Sequence, residues 1–233
     1  MGTNVDVAAV GRLLAAPARA AMLDALFDGD GWSVGELAHA ARVAPSTASE
    51  HLELLRAVGL VVVARDGRHR RYRLAGPEVA HALECLGALA PPLRARGLTD
   101  ASRNDALRLG RTCYDHLAGR LGVAIADGLV ERGYVLAAHE SFAPTPAGIQ
   151  AFAAVRIDVE GLRGARRPVA RSCLDWSERK PHLAGALGAA LLARLESVRG
   201  LERLSGGRAV RLRPRGRSML ARLDLAVDLD DRR

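Results

Sequence analysis

Two cysteines and two histidines recur in the second half of the chain, each time with the cysteine first. They are Cys113, His116, Cys173 and His182. Two thiolates and two imidazoles suit a zinc-like ion or an arsenical, because soft sulfur and borderline nitrogen are the usual ligands of such centres. Cys113 and His116 are three positions apart, which predicts that both side chains share one face of a helix. We therefore treat the four residues as a candidate effector site.

Three other interpretations of these residues stay open. The cysteines can be small buried hydrophobes, with the histidines as hydrogen-bonded core residues. A nucleophilic enzyme could use Cys113 as thiolate and His116 as base, but the sequence has no recognisable oxyanion site, phosphate loop or paired catalytic carboxylates, so we expect no enzyme. A small organic effector could occupy an apolar pocket lined by Tyr114 and Trp176. The expected cofactor is thus a thiophilic metal ion or an arsenical, or none.

The four residues belong to an internal repeat. Arg-Thr-Cys-Tyr-Asp at 111–115 is echoed by Arg-Ser-Cys-Leu-Asp at 171–175, and His-Leu-Ala-Gly at 116–119 by the same letters at 182–185. The second copy inserts the residues from Trp176 to Pro181. Duplicated units that face each other about a pseudo-twofold axis would bring equivalent residues together.

A different chemistry, DNA reading, is indicated by residues 45–56, which read Pro-Ser-Thr-Ala-Ser-Glu-His-Leu-Glu-Leu-Leu-Arg. Pro45 suits a first helical turn, and Leu52 and Leu55 fall on one face at helical spacing. The other face carries short or planar hydrogen-bonding side chains, which a recognition helix presents to base edges and phosphates. Ser33 and Glu36 have the spacing of a capping box, so a shorter helix is expected just before.

A basic hairpin is predicted after this helix. Residues 60–63 and 72–74 read as strands joined across Asp66-Gly67, a dipeptide favoured in tight turns. Five arginines and one histidine face a single acid between residues 65 and 73, where a wing would meet phosphates. Helix, turn, helix and hairpin predict a winged helix. The candidate DNA-binding residues are Pro45, Ser46, Thr47, Ser49, Glu50, His51, Arg56, Arg65, Arg68, His69, Arg70 and Arg71.

These segments resemble the ArsR family of bacterial winged-helix repressors. The resemblance rests on Ser-Thr-Ala-Ser-Glu-His-Leu at 46–52, Leu-Leu-Arg-Ala-Val-Gly-Leu-Val at 54–61 and Arg-Asp-Gly-Arg-His-Arg-Arg-Tyr at 65–72, within about residues 8 to 90. It implies a homodimer that binds a double-stranded DNA operator and is released by an effector. Soft-metal sensors of the family can carry a cysteine pair before the recognition helix. Residues 37–41 read Leu-Ala-His-Ala-Ala, which argues against that particular metal site.

Composition bounds the whole chain. With 233 residues and 49% hydrophobic content, it can build one large or two modest cores. A net charge of +8 and a pI near 10.5 favour a polyanionic partner. No signal peptide or long apolar run is evident, and three scattered cysteines fit reduced thiols, so we expect a cytoplasmic protein with no membrane partner.

The expected fold is mostly α with small β-hairpins (α+β). A winged helix-turn-helix domain is expected over 1–92, a linker over 93–105, and an effector or dimerisation domain over 106–233. Within the last, the copies 106–157 and 168–233 each read as a helix-hairpin-helix unit, with a winged-helix-like arrangement as the alternative.

The functional hypothesis is a homodimeric, sequence-specific transcriptional repressor released from its operator by a soft metal, an arsenical or a small organic molecule. The effector residues are Cys113, His116, Cys173, Trp176 and His182. The alternatives are an effector-free DNA-binding regulator, and a ligand-binding protein or thiol enzyme that its winged helix docks.

Overall fold

The computed structural model describes residues 5–28, 31–67, 69–91, 98–138, 141–164, 167–204, 207–227 and 229; the side chains of 28, 66, 69 and 98–100 are outside this description. The chain divides into two compact units, Met1–Ala80 and His81–Arg233. The helices are α1 (Val7–Leu14), α2 (Pro17–Ala25), α3 (Val34–Ala41), α4 (Pro45–Ala57), α5 (Pro77–Leu89), α6 (Leu98–Leu109), α7 (Gly119–Glu131), α8 (Pro146–Ala154), α9 (Gly185–Ser197) and α10 (Pro214–Ala221). The strands are β1 (Val61–Asp66), β2 (His69–Leu74), β3 (Arg111–Cys113), β4 (His116–Ala118), β5 (Val135–Ala138), β6 (Ser141–Pro144), β7 (Arg171–Leu174), β8 (Pro181–Ala184), β9 (Leu201–Arg203) and β10 (Val210–Leu212).

The N-terminal unit is a winged helix, as predicted. Ser33 caps α3: its hydroxyl accepts the Glu36 N–H, and the Glu36 carboxylate accepts the Ser33 N–H at 2.7 Å. Arg42, in the left-handed conformation at φ 56°, ends α3, and Pro45 begins α4 after a short turn. Strands β1 and β2 then pair antiparallel as the wing. The predicted α+β class is confirmed.

The recognition helix α4 buries one face and exposes the other. Ala48, Leu52 and Leu55 are fully buried, and α4 packs against α2, α3 and β1. Burying a leucine side chain contributes about 1.5–3 kcal/mol, so these residues fix the rotation of the helix about its axis. The orientation of the polar residues on the opposite face follows from that rotation.

The boundary between the units falls inside α5, earlier than the boundary expected at residue 92. The physical reason is Glu84, whose buried carboxylate pairs with arginines of the C-terminal unit. The stretch expected as a linker is also partly helical, since α6 spans Leu98–Leu109. Helix α6 packs against α7, β3 and β10, contacts that a local composition reading does not reveal.

The C-terminal unit contains the same element order twice. A short hairpin, a long helix, a second hairpin and a short helix run from β3 to α8, and again from β7 to α10. The expected helix-hairpin-helix unit is thus present, with a further hairpin before it in each copy. Helices α7 and α9 share one hydrophobic core, whose fully buried members include Leu121, Ile125 and Leu187. Across the described residues, no helix has the length and apolar content needed to cross a bilayer.

Candidate functional site

Helix α4 presents the predicted reading residues outward. Pro45, Ser46, Ser49 and Glu50 are exposed, while Thr47 and His51 are half-buried. His51 Nδ1 lies 3.3 Å from Arg19 Nη1 on α2, so one edge of this imidazole faces the protein. The exposed positions have the short polar side chains that let backbone and base edges approach closely.

The wing places some of its arginines outward and uses others internally. Arg65 and Arg70 are opposite each other across the hairpin, and both are exposed. Arg71 instead donates to Glu36 at 2.9 Å and to the Gly31 carbonyl at 3.2 Å, which ties the wing to the start of α3. Arg56 pairs with Glu53 at 2.8 Å on α4 itself. Arg68 and the side chain of His69 lie outside the described residues.

The candidate effector residues lie on two equivalent hairpins. In β3–β4, Cys113 is the register partner of His116, and in β7–β8, Cys173 is the register partner of His182. The insertion in the second copy fills the loop after β7 and ends on Pro181, the first residue of β8, so it leaves the cysteine–histidine pairing unchanged. The repeat seen in the sequence is therefore a repeat of one local structure.

The prediction that Cys113 and His116 share a helical face is wrong. They end β3 and begin β4, separated by the two-residue turn Tyr114-Asp115. Tyr114 has φ 61°, in the left-handed region that a tight hairpin turn requires. A spacing of three fits both a helix face and the two sides of such a turn, and the strand pairing decides between them.

The two copies face each other around the histidines. The rings of His116 and His182 stack with centroids 5.1 Å apart and planes inclined by 27°. A Cβ added to Gly122 would lie 3.6 Å from His182 Cβ, and one added to Gly188 would lie 3.2 Å from His116 Cβ. Each long helix therefore supports the histidine of the other copy, as the expected pseudo-twofold arrangement requires.

The four side chains converge. One ligand atom from each of Cys113, His116, Cys173 and His182 lies within 4.8 Å of every other, and all four residues are buried. His116 Nε2 and both ring nitrogens of His182 are buried without a hydrogen-bond partner among the described residues. Leaving a buried polar atom unpaired costs about 1–3 kcal/mol, so these nitrogens represent unused binding capacity.

The two thiols have opposite electrostatic tendencies. The pKa of Cys113 is raised well above its usual value, because its thiol donates to Cys173 and because it is buried. The pKa of Cys173 is lowered, first by that donation from Cys113 and then by the nearby imidazoles, against the effect of burial. A further imidazole, that of His81 on α5, lies 3.9 Å from the Cys173 sulfur. The Cys173 sulfur is therefore surrounded by hydrogen-bonding groups, the Cys113 thiol and nearby imidazoles.

Each histidine has an aspartate of its own copy nearby, but only the first copy brings the two within hydrogen-bond distance. Asp115 lies 3.2 Å from His116 Nδ1 and also accepts from Arg167. Burial favours a lower pKa for His116, but the contacts with Asp115 and with the Cys173 sulfur outweigh it, and the pKa is raised. In the second copy, Asp175 Oδ2 lies 3.7 Å from His182 Nδ1, beyond hydrogen-bond range. Because Asp115 contacts Nδ1 of His116, the His116 nitrogen without a hydrogen bond is Nε2.

Asp175 belongs to a buried charge network that the sequence analysis missed. It accepts from Arg111 Nη2 at 2.9 Å and from the Gly119 N–H at 2.6 Å. On the far side, Glu84 of α5 accepts from Arg208 at 2.7 Å and lies 4.0 Å from Arg111. Two carboxylates and two guanidiniums therefore balance inside the C-terminal unit. The Arg-x-Cys-x-Asp repeat contained the signal, since both charged residues flank the cysteine.

Trp176, the fifth candidate effector residue, packs against a member of the buried charge network. Its ring lies over the guanidinium of Arg111, whose Cζ is 4.4 Å from the ring centroid. This cation–π contact covers the buried charge network and gives the tryptophan a structural role beside the Cys/His group. Of the five expected effector residues, the structure brings together the two cysteines and the two histidines.

Comparisons with known proteins agree with the N-terminal fold. A sequence model described as a helix-turn-helix domain matches residues 14–64. The chain is 33% identical to a homodimeric winged helix-turn-helix DNA-binding domain from Mycobacterium bovis, described as a possible ArsR-family regulator, over 38% of this chain and 89% of that domain, with a TM-score of 0.34. It is 44% identical to the HTH-type transcriptional regulator CmtR of Mycobacterium tuberculosis over 77 residues, which are 33% of this chain and 64% of CmtR.

A longer similarity includes the C-terminal unit. YdfF of Bacillus subtilis, named as an uncharacterised HTH-type transcriptional regulator, is 41% identical over 214 residues, covering 92% of this chain and 95% of YdfF. The shared sequence extends far beyond a DNA-binding domain. The chain accordingly belongs to the HTH-type transcriptional regulators, as a relative of YdfF with an ArsR-like winged helix.

Proposed function

We propose that this regulator is a cytoplasmic, homodimeric repressor that binds a DNA operator through α4 and the wing and is released when an effector occupies the Cys/His site. The observation that carries the proposal is the exposed polar face of α4, Ser46, Ser49 and Glu50, on a helix that packs against the first wing strand. The role is regulatory, in keeping with the names of the relatives, rather than catalytic.

Self-association is supported by helix α5. Ala82, Cys85, Leu86 and Leu89 are exposed and recur at helical spacing, with Leu86 48% and Leu89 81% exposed. A single leucine at a surface is ordinary, but a stripe along a whole helix face favours burial against another protein. A second copy of the same chain fits, because a twofold axis would place two such stripes against each other.

The DNA surface is tested with the wing arginines. We expect the Arg65→Ala, Arg70→Ala double variant to weaken binding to all DNA sequences alike, because these side chains would contact phosphates. The slope of log affinity against log salt concentration should become shallower by about one unit per lost phosphate contact. Fluorescence anisotropy with an operator selected from random DNA would measure this slope.

Arg163→Ala is the matched control. Arg163 pairs at 2.8 Å with Glu160, and its side chain is 57% exposed. It belongs to the C-terminal unit, so this variant removes a positive charge that is part of neither α4 nor the wing. Its salt slope should equal that of the wild type. Equal slopes for all three proteins would remove the wing from the DNA surface.

Dimerisation predicts the form of the operator. One recognition helix contacts too few bases for high affinity, so we expect two half-sites, related by twofold symmetry and about 10 base pairs or a multiple of one turn apart. Selection from random DNA and analytical ultracentrifugation would measure this. A monomer at micromolar concentration that binds one half-site as tightly as the full operator would contradict the dimer.

A further inference from the structure

We infer that Cys113, His116, Cys173 and His182 form a binding site for one tetrahedrally coordinated metal ion of the zinc class. This inference names the effector of the proposed function and rests on it for the regulatory consequence, whereas the binding itself stands on the geometry of the C-terminal unit. The four residues belong to the C-terminal unit and lie where the two copies of the repeat meet.

The donor set is the first reason. Two sulfurs and two imidazole nitrogens are a common structural zinc set, and they suit cadmium as well. Asp115 holds Nδ1 of His116, the carboxylate–histidine arrangement that orients metal-binding imidazoles, and leaves Nε2 as the ligand atom. Neither ring nitrogen of His182 has a hydrogen bond among the described residues, so coordination would displace no hydrogen bond of this imidazole there.

The distances are the second reason. Zinc–sulfur bonds of about 2.3 Å and zinc–nitrogen bonds of about 2.0–2.1 Å place tetrahedral ligand atoms roughly 3.3–3.8 Å apart. The four atoms already lie within 4.8 Å of one another, so binding requires a contraction of about 1 Å at the longest separation. Side-chain rotation about Cβ supplies a movement of that size without a change in strand register.

The charge balance is the third reason. Two thiolates neutralise a divalent ion, so the filled site adds no net charge to the buried interior. Among the described residues, Asp115 already pairs with Arg167, and Asp175 with Arg111. These two carboxylates are thus already paired with arginines and do not compete with the four residues for the ion. Simple packing would account for the two cysteines, whereas an ion would also engage one unpaired nitrogen of each imidazole.

The test is a titration of the full-length, reduced, metal-free protein with Co²⁺, followed by displacement with Zn²⁺. Tetrahedral cobalt bound to thiolates gives intense visible d–d bands and sulfur-to-cobalt charge transfer in the near ultraviolet. We expect saturation at one Co²⁺ per chain, with loss of the signal when one equivalent of Zn²⁺ is added. A wild-type protein without the thiolate charge-transfer band, or one whose Cys113 and Cys173 form a disulfide that resists reduction, would overturn the site.

Variants assign the ligands. Cys113→Ser and Cys173→Ser should lose the tetrahedral spectrum, while Cys85→Ser, which removes the exposed third cysteine, should retain it. Asp115→Asn should weaken Zn²⁺ binding by about 10–100-fold, because it orients His116 without being a ligand. Unchanged affinity in both of the first two variants would place the ion elsewhere. If either variant fails to fold, the wild-type spectrum and the Asp115→Asn affinity still decide.

Operator binding separates this inference from the proposed function. Metal-free protein that does not bind DNA in the selection experiment would defeat the proposed function, while the cobalt spectrum would still establish the ion site. One bound ion at these residues with release of a bound operator supports both. An ion held at the four residues with no change in operator affinity keeps the site and overturns its role as effector.

Discussion

Asp175→Asn is expected to destabilise the C-terminal unit by about 3–5 kcal/mol, the usual cost of removing one partner from a buried ion pair. Arg111 is fully buried and pairs with this carboxylate at 2.9 Å. Although burial opposes ionisation, Arg111 and the hydrogen bonds from Ser177, Glu178 and Gly119 lower the pKa of Asp175 to about 2. The aspartate is therefore charged at neutral pH, and the asparagine leaves the guanidinium charge uncompensated.

Asp127→Asn is the control for this prediction. Asp127 lies 3.4 Å from Lys180, but its side chain is 45% exposed, so its loss should cost less than about 1 kcal/mol. Urea unfolding, followed by circular dichroism and by the combined fluorescence of Trp32 and Trp176, gives both free energies. If the two variants lose the same stability, the buried network is not what holds β7 to the start of α7.

Alanine at both Gly122 and Gly188 is expected to disrupt the contact between the two copies. A Cβ at either position would come closer than 3.0 Å to a backbone carbonyl oxygen, that of Leu117 or Leu183, and close to the histidine of the other copy. Overpacking of this kind costs about 1–3 kcal/mol per position, and here the backbone must move because no flexible side chain can yield. We expect a lower unfolding midpoint and a weaker Co²⁺ signal.

Gly87→Ala makes the same chemical change in a helix of the same unit, with the opposite expected sign. Nothing lies within 4 Å of a Cβ built at Gly87 of α5. Alanine favours a helix over glycine by about 0.5–1 kcal/mol, so this variant should be slightly more stable. Thermal unfolding compares the double variant with Gly87→Ala. If the double variant is unaffected while Gly87→Ala is destabilised, the close approach of α7 and α9 to the hairpins is contradicted.

The winged helix could be predicted in detail because its signals are local. The Ser33 to Glu36 capping box and Pro45 at the start of α4 each act within a few residues, and the structure shows both. The turn expected at Asp66-Gly67 is shifted, because Asp66 still pairs with His69 as the last residue of β1. The candidate effector site is different. Its four residues could be named from the repeat, but whether they lie on a helix or a hairpin depends on strand pairing, which a spacing of three leaves open.

The buried ion pairs around the site could not be predicted from local sequence patterns. Arg111 and Asp175 pair across the two copies, 64 positions apart, and Glu84 reaches Arg208 over 124 positions. Such contacts depend on tertiary packing, which also explains why Trp176 covers Arg111 and why α6 forms where a linker was expected. Charged side chains must pair with one another only where they are buried, and burial depends on the packing of the whole unit.

The duplication has a kinetic consequence. Each hairpin supplies only one cysteine and one histidine, so a chain with a single copy would need a collision between two molecules to assemble the group. With both copies in one polypeptide, that encounter becomes intramolecular, and the second pair is present at an effective concentration set by the fold rather than by expression level. The completeness of the Cys/His group is therefore independent of how many copies of the protein a cell contains, even where the dimer would dissociate on dilution.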